Sequence, residues 1–460
     1  MRKTTKTIFR AAAAVGALAV IPAATSYANT APTNPSADAV TVPGPWRGPV
    51  GYLTEQYDLT TREAVQRMEM QEDALKLNDK LRTGQSDTYA GMRLDMDSGV
   101  VHVRSTRPAE ARAAADALPF GILKFLKADK AAKPVPKVPT TKVAADEQGQ
   151  AKAPAVEQDF CGPLNCQTPL RSGVRLDGER DSDADYKWGG CTLGYVVQMP
   201  GGPDQKYLLT AGHCFYDSSD PAGNHNRKDE RTWHNGIEVG QEGTGDGSYG
   251  HSAHGNHSGD DPHGSHNEYT WQTPDYAMIP VQNQDFWFGQ TTDRRPGLLA
   301  AYGDCDNKTQ EGYDCQIDDV LAITDTENLP PAGTTVCQQG TAEEGKTGTH
   351  AEGGWRPGQR CGEVIANRDE TMNGKLVITN FCTAPGDSGG PLYIAHKDDT
   401  ASAIGILTDG SPNLSGYENC AETDDGPSAA KGKKASWYWT VDHILLDELA
   451  HGNQFRLYTR

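Results

Sequence analysis

Ala384-Pro-Gly-Asp-Ser-Gly-Gly-Pro-Leu392 is the stretch from which the rest of the chain is read, and Leu208-Leu-Thr-Ala-Gly-His-Cys214 is its companion. An isolated serine hydroxyl is a poor nucleophile at neutral pH, so it needs a nearby base, and the base needs an orienting partner. Histidine suits the base because its side chain titrates near neutrality. Ser388 and His213 are therefore the candidate nucleophile and base. Gly386, ahead of Asp387-Ser388, lets the backbone bend sharply without a Cβ clash, so that the N–H groups of Gly386 and Ser388 converge on a developing oxyanion. Gly389 and Gly390 keep the far side open for a substrate chain. The third member must come between the two segments, where Asp246, Asp260, Asp261, Asp275 and Asp285 are the nearer candidates. Asp275 is chosen because it opens a short apolar run, Tyr276-Ala-Met-Ile279, and so sits at a strand start with its side chain able to turn inward. A buried carboxylate there holds the His213 tautomer and stabilises the imidazolium.

Outward from these segments, the cysteines divide the chain. All 10 lie between Cys161 and Cys420, an even number confined to one region, which reads as disulfides in an exported protein. Export is signalled at the start. Arg2, Lys3, Lys6 and Arg10 precede an apolar stretch from about Ala11 to Ala24, and Ser26-Tyr-Ala28 offers small residues to a signal peptidase. Residues 1–28 read as a signal peptide cut after Ala28. The apolar run is too short for a membrane span, and no second candidate follows. A net charge of -19 argues against a nucleic-acid-binding surface.

The cysteine-free front, residues 29–127, reads as a small α+β unit. A helical pattern runs from about Thr60 to Leu81, with Thr61 as cap and Val65, Met68, Leu75 and Leu77 at roughly helical spacing. A hairpin follows, with its turn at Asp97-Ser-Gly99, then an alanine-rich helix over Pro108 to Leu118. Residues 128–158 are rich in Ala, Lys, Pro and Val and read as a solvated linker. Such a module, tethered ahead of a cross-linked domain, reads as a propeptide; a retained binding domain is the alternative. Residues 159–460 carry many short strand-like runs with glycine-rich connections, which favours an all-β barrel or sandwich. One late helix is expected over Val441 to Leu449, with Val441, Leu445 and Leu449 on one face.

The Thr210-Ala-Gly-His-Cys214 and Gly386-Asp-Ser-Gly-Gly-Pro391 segments, in that order, resemble the signature motifs of the trypsin/chymotrypsin serine proteases. Pro169-Leu-Arg-Ser-Gly-Val-Arg-Leu176, Cys191-Thr-Leu-Gly-Tyr195 and Cys382-Thr-Ala-Pro-Gly-Asp-Ser388 are similar to the actinobacterial secreted branch, the streptogrisin and α-lytic type. Tyr52-Leu-Thr-Glu-Gln-Tyr57 through Gln71 resembles the start of the propeptides of that branch. The resemblance implies two antiparallel six-stranded β-barrels with a C-terminal helix, and peptide or protein substrates. It implies no cofactor and a propeptide that assists folding and is then cut off by the protease. It also implies disulfides Cys191–Cys214, Cys337–Cys361 and Cys382–Cys420, leaving Cys161–Cys166 and Cys305–Cys315 as local loops.

Three features depart from that pattern. An arginine after the cysteine at the position of Cys337 typically pairs with the aspartate beside the nucleophile, but here the residue is Gln338. Asp387 must then pair with Arg356, with Arg360, or with an N-terminal amine freed by cleavage. Asp409, in Leu407-Thr-Asp-Gly-Ser411, stands where the family has a serine bonded to the triad aspartate. Either the alignment slips by a residue or Asp409 points into a substrate pocket shared with Phe381 and Ser411. Finally, a long insertion carries His225, His234, His251, His254, His257, His263 and His266 with Asp260 and Asp261. Its Gly, Ser and Asn content reads as a solvated loop with no metal; zinc or copper is the alternative. The rival functions are a catalytically weak homologue serving as an extracellular binding module and a metal-scavenging surface protein.

Overall fold

A computed structural model describes residues 40–115, 123–132, 169–179, 187–199, 205–214, 231–241, 249–251, 274–288, 297–302, 307–309, 312–314, 317–327, 329–341, 358–367, 376–380, 383, 386–409 and 435–460. The expected signal peptide and most of the expected linker lie outside them.

The N-terminal module begins with helices α1 (Arg47–Tyr57) and α2 (Thr61–Gly84). Thr60, one residue before the expected cap, starts α2. Its hydroxyl accepts from the Glu63 N–H at 3.3 Å, while Glu63 Oε2 accepts from the Thr60 N–H at 2.8 Å. Strands β1 (Tyr89–Asp95) and β2 (Val100–Ser105) form the expected antiparallel hairpin. The chain then passes through α3 (Pro108–Ala115) to β3 (Leu123–Lys127), which returns parallel to β2. The module holds the chain slightly past the expected linker start: the N–H of Ala128 bonds the Ser105 carbonyl and that of Ala132 bonds the Tyr89 carbonyl.

The disulfide-rich part has two halves. Its first half contains β4 (Arg175–Glu179), β5 (Lys187–Thr192), β6 (Tyr195–Gln198), β7 (Lys206–Thr210), β8 (Arg231–His234), β9 (Ile237–Gln241), β10 (Tyr249–His251) and β11 (Tyr276–Pro280), followed by α4 (Gln284–Phe288). β5-β4-β8-β9 form one sheet. The other, β10-β11-β7-β6, ends on a C-terminal strand, Arg456–Leu457. Both wrap one core, in which Leu176 and Val239 of the first sheet meet Val196, Leu208 and Ile279 of the second, sealed by Trp287 and Phe288.

The second half contains β12 (Leu298–Tyr302), β13 (Asn307–Thr309), β14 (Gly312–Asp314), β15 (Ile317–Thr326), β16 (Thr335–Gly340), β17 (Gly358–Asn367), β18 (Leu376–Thr379), β19 (Pro391–Ala395), β20 (Thr400–Asp409) and β21 (Ser436–Thr440). The order β20-β19-β16-β17-β18-β21, with β21 pairing back onto β20, is a closed antiparallel six-stranded barrel. All six strands contribute to one cluster: Val336, Val364, Val377, Leu392, Ile394, Ile404, Leu407 and Tyr438. Side chains from every strand of a closed barrel meet only inside it. The expected C-terminal helix is α5 (Val441–Ala450), capped by Thr440. Its buried residues are Val441, Asp442, Ile444, Leu445 and Glu448, whereas Leu449, expected on one face with Val441 and Leu445, is 44% exposed. The last strand, β22 (Arg456–Leu457), carries the chain back to the first half.

The N-terminal module packs on the barrel. Leu75 of α2 joins the barrel's interior cluster. The Trp46 indole N–H donates to the Ala395 carbonyl at 3.1 Å. The Gln71 amide satisfies both backbone groups of Thr335, donating to its carbonyl at 2.9 Å and accepting from its N–H at 2.6 Å. The Tyr57 hydroxyl donates to Glu363 Oε1 at 2.5 Å, and Asn380 Nδ2 donates to the Tyr52 hydroxyl at 2.9 Å.

Burial under α1 pushes the Glu363 carboxyl up to about 7, assisted by Asp95 and opposed by the Tyr57 hydroxyl and Arg93. A carboxyl raised by docking favours the docked state while protonated. That contribution is whole below its ordinary range near 4.5 and is lost as pH rises through about 7. Thermal melts of the full chain should therefore show a drop between pH 5 and pH 8 that is about 2–4 °C smaller in Glu363→Gln than in wild type. Equal drops in the two proteins would contradict this assignment.

Candidate active site

His213 closes β7. The strand ends at Thr210 and the chain turns through a single 3-10 turn, Gly212–Cys214, tied to the end of β5 by the Cys191–Cys214 disulfide. Asp275 immediately precedes β11, which pairs antiparallel with β7, so the two side chains start from adjacent strand ends. Asp275 is 0% exposed. Its Oδ1 accepts from the His213 backbone N–H at 2.9 Å, and its Oδ2 lies 2.7 Å from His213 Nδ1. A third donor, the Thr408 hydroxyl, reaches Oδ2 at 2.7 Å. A buried carboxylate needs such a shell of donors to remain charged. The shell also fixes the imidazole, with Nδ1 turned to the carboxylate.

The neighbouring Tyr276 holds β11 to the C-terminal helix. Its hydroxyl donates to Glu448, and Asp447 Oδ2 lies 3.2 Å away. Burial and those carboxylates push the phenol far up, so Tyr276 stays neutral and remains a donor.

The Ser388 segment is fixed by three successive carbonyls. That of Gly386 accepts from the hydroxyls of Thr192 at 2.8 Å and Thr341 at 3.0 Å. That of Asp387 accepts from the Gly390 N–H, and that of Ser388 from the Thr192 N–H, each at 2.8 Å. Across a planar trans peptide the Ser388 N–H is antiparallel to the Asp387 carbonyl, so it points away from Gly390. Gly386 has φ 101° and Gly389 has φ 80°, both in the region side-chain-bearing residues avoid. Gly389 also has no room for a side chain: a Cβ there would lie 2.0 Å from Thr210 Oγ1 and 2.7 Å from the Ala211 nitrogen. The residue after Ser388 is thus seated on the segment that leads into His213. Asp275 is bonded to His213, and the turn that carries Ser388 packs on the segment that leads into His213.

Both close-range departures have structural answers. Asp387, 0% exposed, is bonded to Arg360. Thr408, the residue before Asp409, donates its hydroxyl to Asp275. The register between β20 and β21 shifts between Leu407 and Asp409, and an irregularity of that kind changes which residue faces inward. Thr408 stood beside the residue chosen from the sequence, but nothing in the sequence marks the shift. Phe381, Ser411 and the Asp409 side chain, the expected pocket residues, lie outside the described residues.

Cys337 and Cys361 are bonded across β16 and β17, whereas Cys382, Cys420 and the four local-loop cysteines lie outside the description. Of the insertion's histidines, His234 is buried with Nδ1 2.7 Å from the Arg175 carbonyl, and His251 lies on β10. The other five lie outside the described residues. Among the described residues no cluster of His, Cys, Asp and Glu has the geometry to hold a metal ion, and no helix is long and apolar enough to cross a membrane.

No protein-family model matches the sequence, and no curated protein matches it either. Among solved structures, the chain is similar to a Nocardiopsis protease, NAPase, at 16% identity and a TM-score of 0.31, over 63% of this chain and 99% of that one. It is also similar to the protease Anisep from Arthrobacter nicotinovorans, at 11% identity and a TM-score of 0.29, over 60% of this chain and 94% of that one.

Proposed function

We propose that the chain is a secreted serine endopeptidase that hydrolyses protein and peptide substrates through Ser388, His213 and Asp275. The observation that carries this reading is the buried Asp275 carboxylate bonded to both the ring and the backbone of His213. That arrangement leaves Nε2 as the working nitrogen of the imidazole. Ser388 Oγ attacks the substrate carbonyl carbon while its proton passes to Nε2, and Asp275 stabilises the imidazolium. The oxyanion that forms accepts from the N–H groups of Gly386 and Ser388. Collapse expels the amine, which takes the proton from His213, and leaves an acyl group on Ser388. Water then attacks, gives its proton to His213, and releases the acid as Ser388 recovers its proton. No step calls for a cofactor or metal.

In this reading residues 1–28 direct export, and residues 29–127 are a propeptide removed by a self-made cut in the linker. The contacts of Trp46, Gln71 and Leu75 with the barrel support a role for the module in folding it. The binding-module reading rested on Gln338 and Asp409. The bonds of Arg360 to Asp387 and of Thr408 to Asp275 favour the protease reading over it.

The test is hydrolysis of a denatured protein substrate by the purified chain. Wild type should cut it, and Ser388→Ala should lose at least about a thousandfold in kcat. A folded wild type that leaves peptide bonds intact would overturn the proposal. Thr408→Val removes a donor to Asp275 and should lower kcat about tenfold, with little change in KM. An unchanged kcat would show that the hydroxyl does not help to hold Asp275.

A further inference from the structure

Two threonines reach the Gly386 carbonyl from different halves of the disulfide-rich part. Thr192 ends β5 of the first half, and Thr341 follows β16 of the second. Both are fully buried. Their hydroxyl oxygens lie 2.8 Å apart, and the Thr341 N–H donates to Thr192 Oγ1 at 3.1 Å. Together with the bonds of both hydroxyls to Gly386, three oxygens form a triangle whose edges are all 3.0 Å or shorter.

Only the two hydroxyl protons serve this triangle, because a carbonyl has none to give. Each hydroxyl turns its proton either to the carbonyl or to the other hydroxyl, and the two protons cannot point at each other at once. Every remaining arrangement leaves at least one proton on the Gly386 carbonyl. The other acceptor in reach of the Thr341 hydroxyl, the Cys191 carbonyl, is farther away at 3.4 Å. If either hydroxyl is lost, the one that remains therefore keeps the Gly386 carbonyl as its nearest acceptor.

Gly386 is a residue at which such a hold matters. It sits at φ 101° and has no Cβ, so nothing in its own side chain resists rotation. Its N–H, an oxyanion donor in the protease reading, and its carbonyl lie in the two rigid peptide planes hinged at its Cα. Fixing the carbonyl plane removes one of the two rotations by which the N–H could turn away from the oxyanion.

We propose that Thr192 and Thr341 are paired positioning residues for the oxyanion site, each able to hold the Gly386 carbonyl without the other. One comes from each half, so the clamp is complete only when the two halves are seated together. The inference rests on the protease reading and adds what aims one of its oxyanion donors.

The test compares kcat and KM on a peptide substrate with the Ki of a peptide aldehyde. Ser388 Oγ adds to the aldehyde carbon, and the aldehyde oxygen enters the oxyanion site. Thr192→Val and Thr341→Val should each lower kcat by no more than about threefold. Thr192→Val should be the worse of the two, because it also strips the Thr341 N–H of its acceptor. The double Val variant should lose at least about 30-fold in kcat, more than the product of the single losses, with KM within about threefold of wild type. Its Ki for the aldehyde should rise in step with the loss of kcat. Thr192→Ser with Thr341→Ser keeps both hydroxyls and should stay within about threefold of wild type. The proposal is overturned by a single Val variant that costs more than about tenfold in kcat, or by a folded double Val variant whose loss does not exceed that product. Should the double Val variant fail to fold, Thr192→Val with Thr341→Ser, and Thr192→Ser with Thr341→Val, each still keep one hydroxyl. Both are expected within about tenfold of wild type, and a larger loss in either overturns the proposal. A wild type without peptidase activity would overturn both readings, whereas an active wild type with an equally active double Val variant would overturn this one alone.

Discussion

A carboxylate removed from water is costly, and Asp275 is fully removed. Much of the local architecture answers that cost. The pairing of β7 with β11 places the His213 backbone N–H on one oxygen and its ring on the other, and β20 delivers the Thr408 hydroxyl from the opposite half. Since the donors come from both halves, the halves cannot separate without leaving a buried charge short of partners. The same constraint orients the imidazole. The Cys191–Cys214 bridge and the bond from Tyr276 to Glu448 then hold the strand ends in place.

A second buried charge organises the Ser388 turn. Asp387 and Arg360 lie at the end of the closed barrel, beside the Gln338–Tyr438 hydrogen bond, so the Ser388 turn is anchored to the barrel rather than left to loop conformation. On the same two strands, the N-terminal module takes up the Thr335 backbone and the Glu363 side chain through Gln71 and Tyr57. Strands β16 and β17 therefore serve two tasks: shaping the Ser388 loop and receiving the module.

The sequence marked what depends on short-range pattern. The segments around His213 and Ser388, the apolar run after Asp275, the front hairpin and the late helix could all be placed from local residue types. Two features depend on three-dimensional register and could not. Thr408 supplies its hydroxyl to Asp275 where β20 shifts against β21, and only the paired strand reveals such a shift. Arg360 could be narrowed to one of three partners for Asp387, but selecting it required knowing that β17 lies opposite β16 and that Gly340 leaves an opening between them. The parallel return of β3 and the docking of α1 on the barrel were equally invisible, since both join residues far apart in the chain.

The central claim is that Ser388 is an activated nucleophile. The most direct measurement is covalent modification of the purified protein by a fluorophosphonate, with the adduct located by peptide mass spectrometry. The account predicts one adduct, on Ser388, that disappears when the protein is denatured before exposure to the reagent. A folded protein that remains unmodified, or that carries the adduct on another serine, would contradict it.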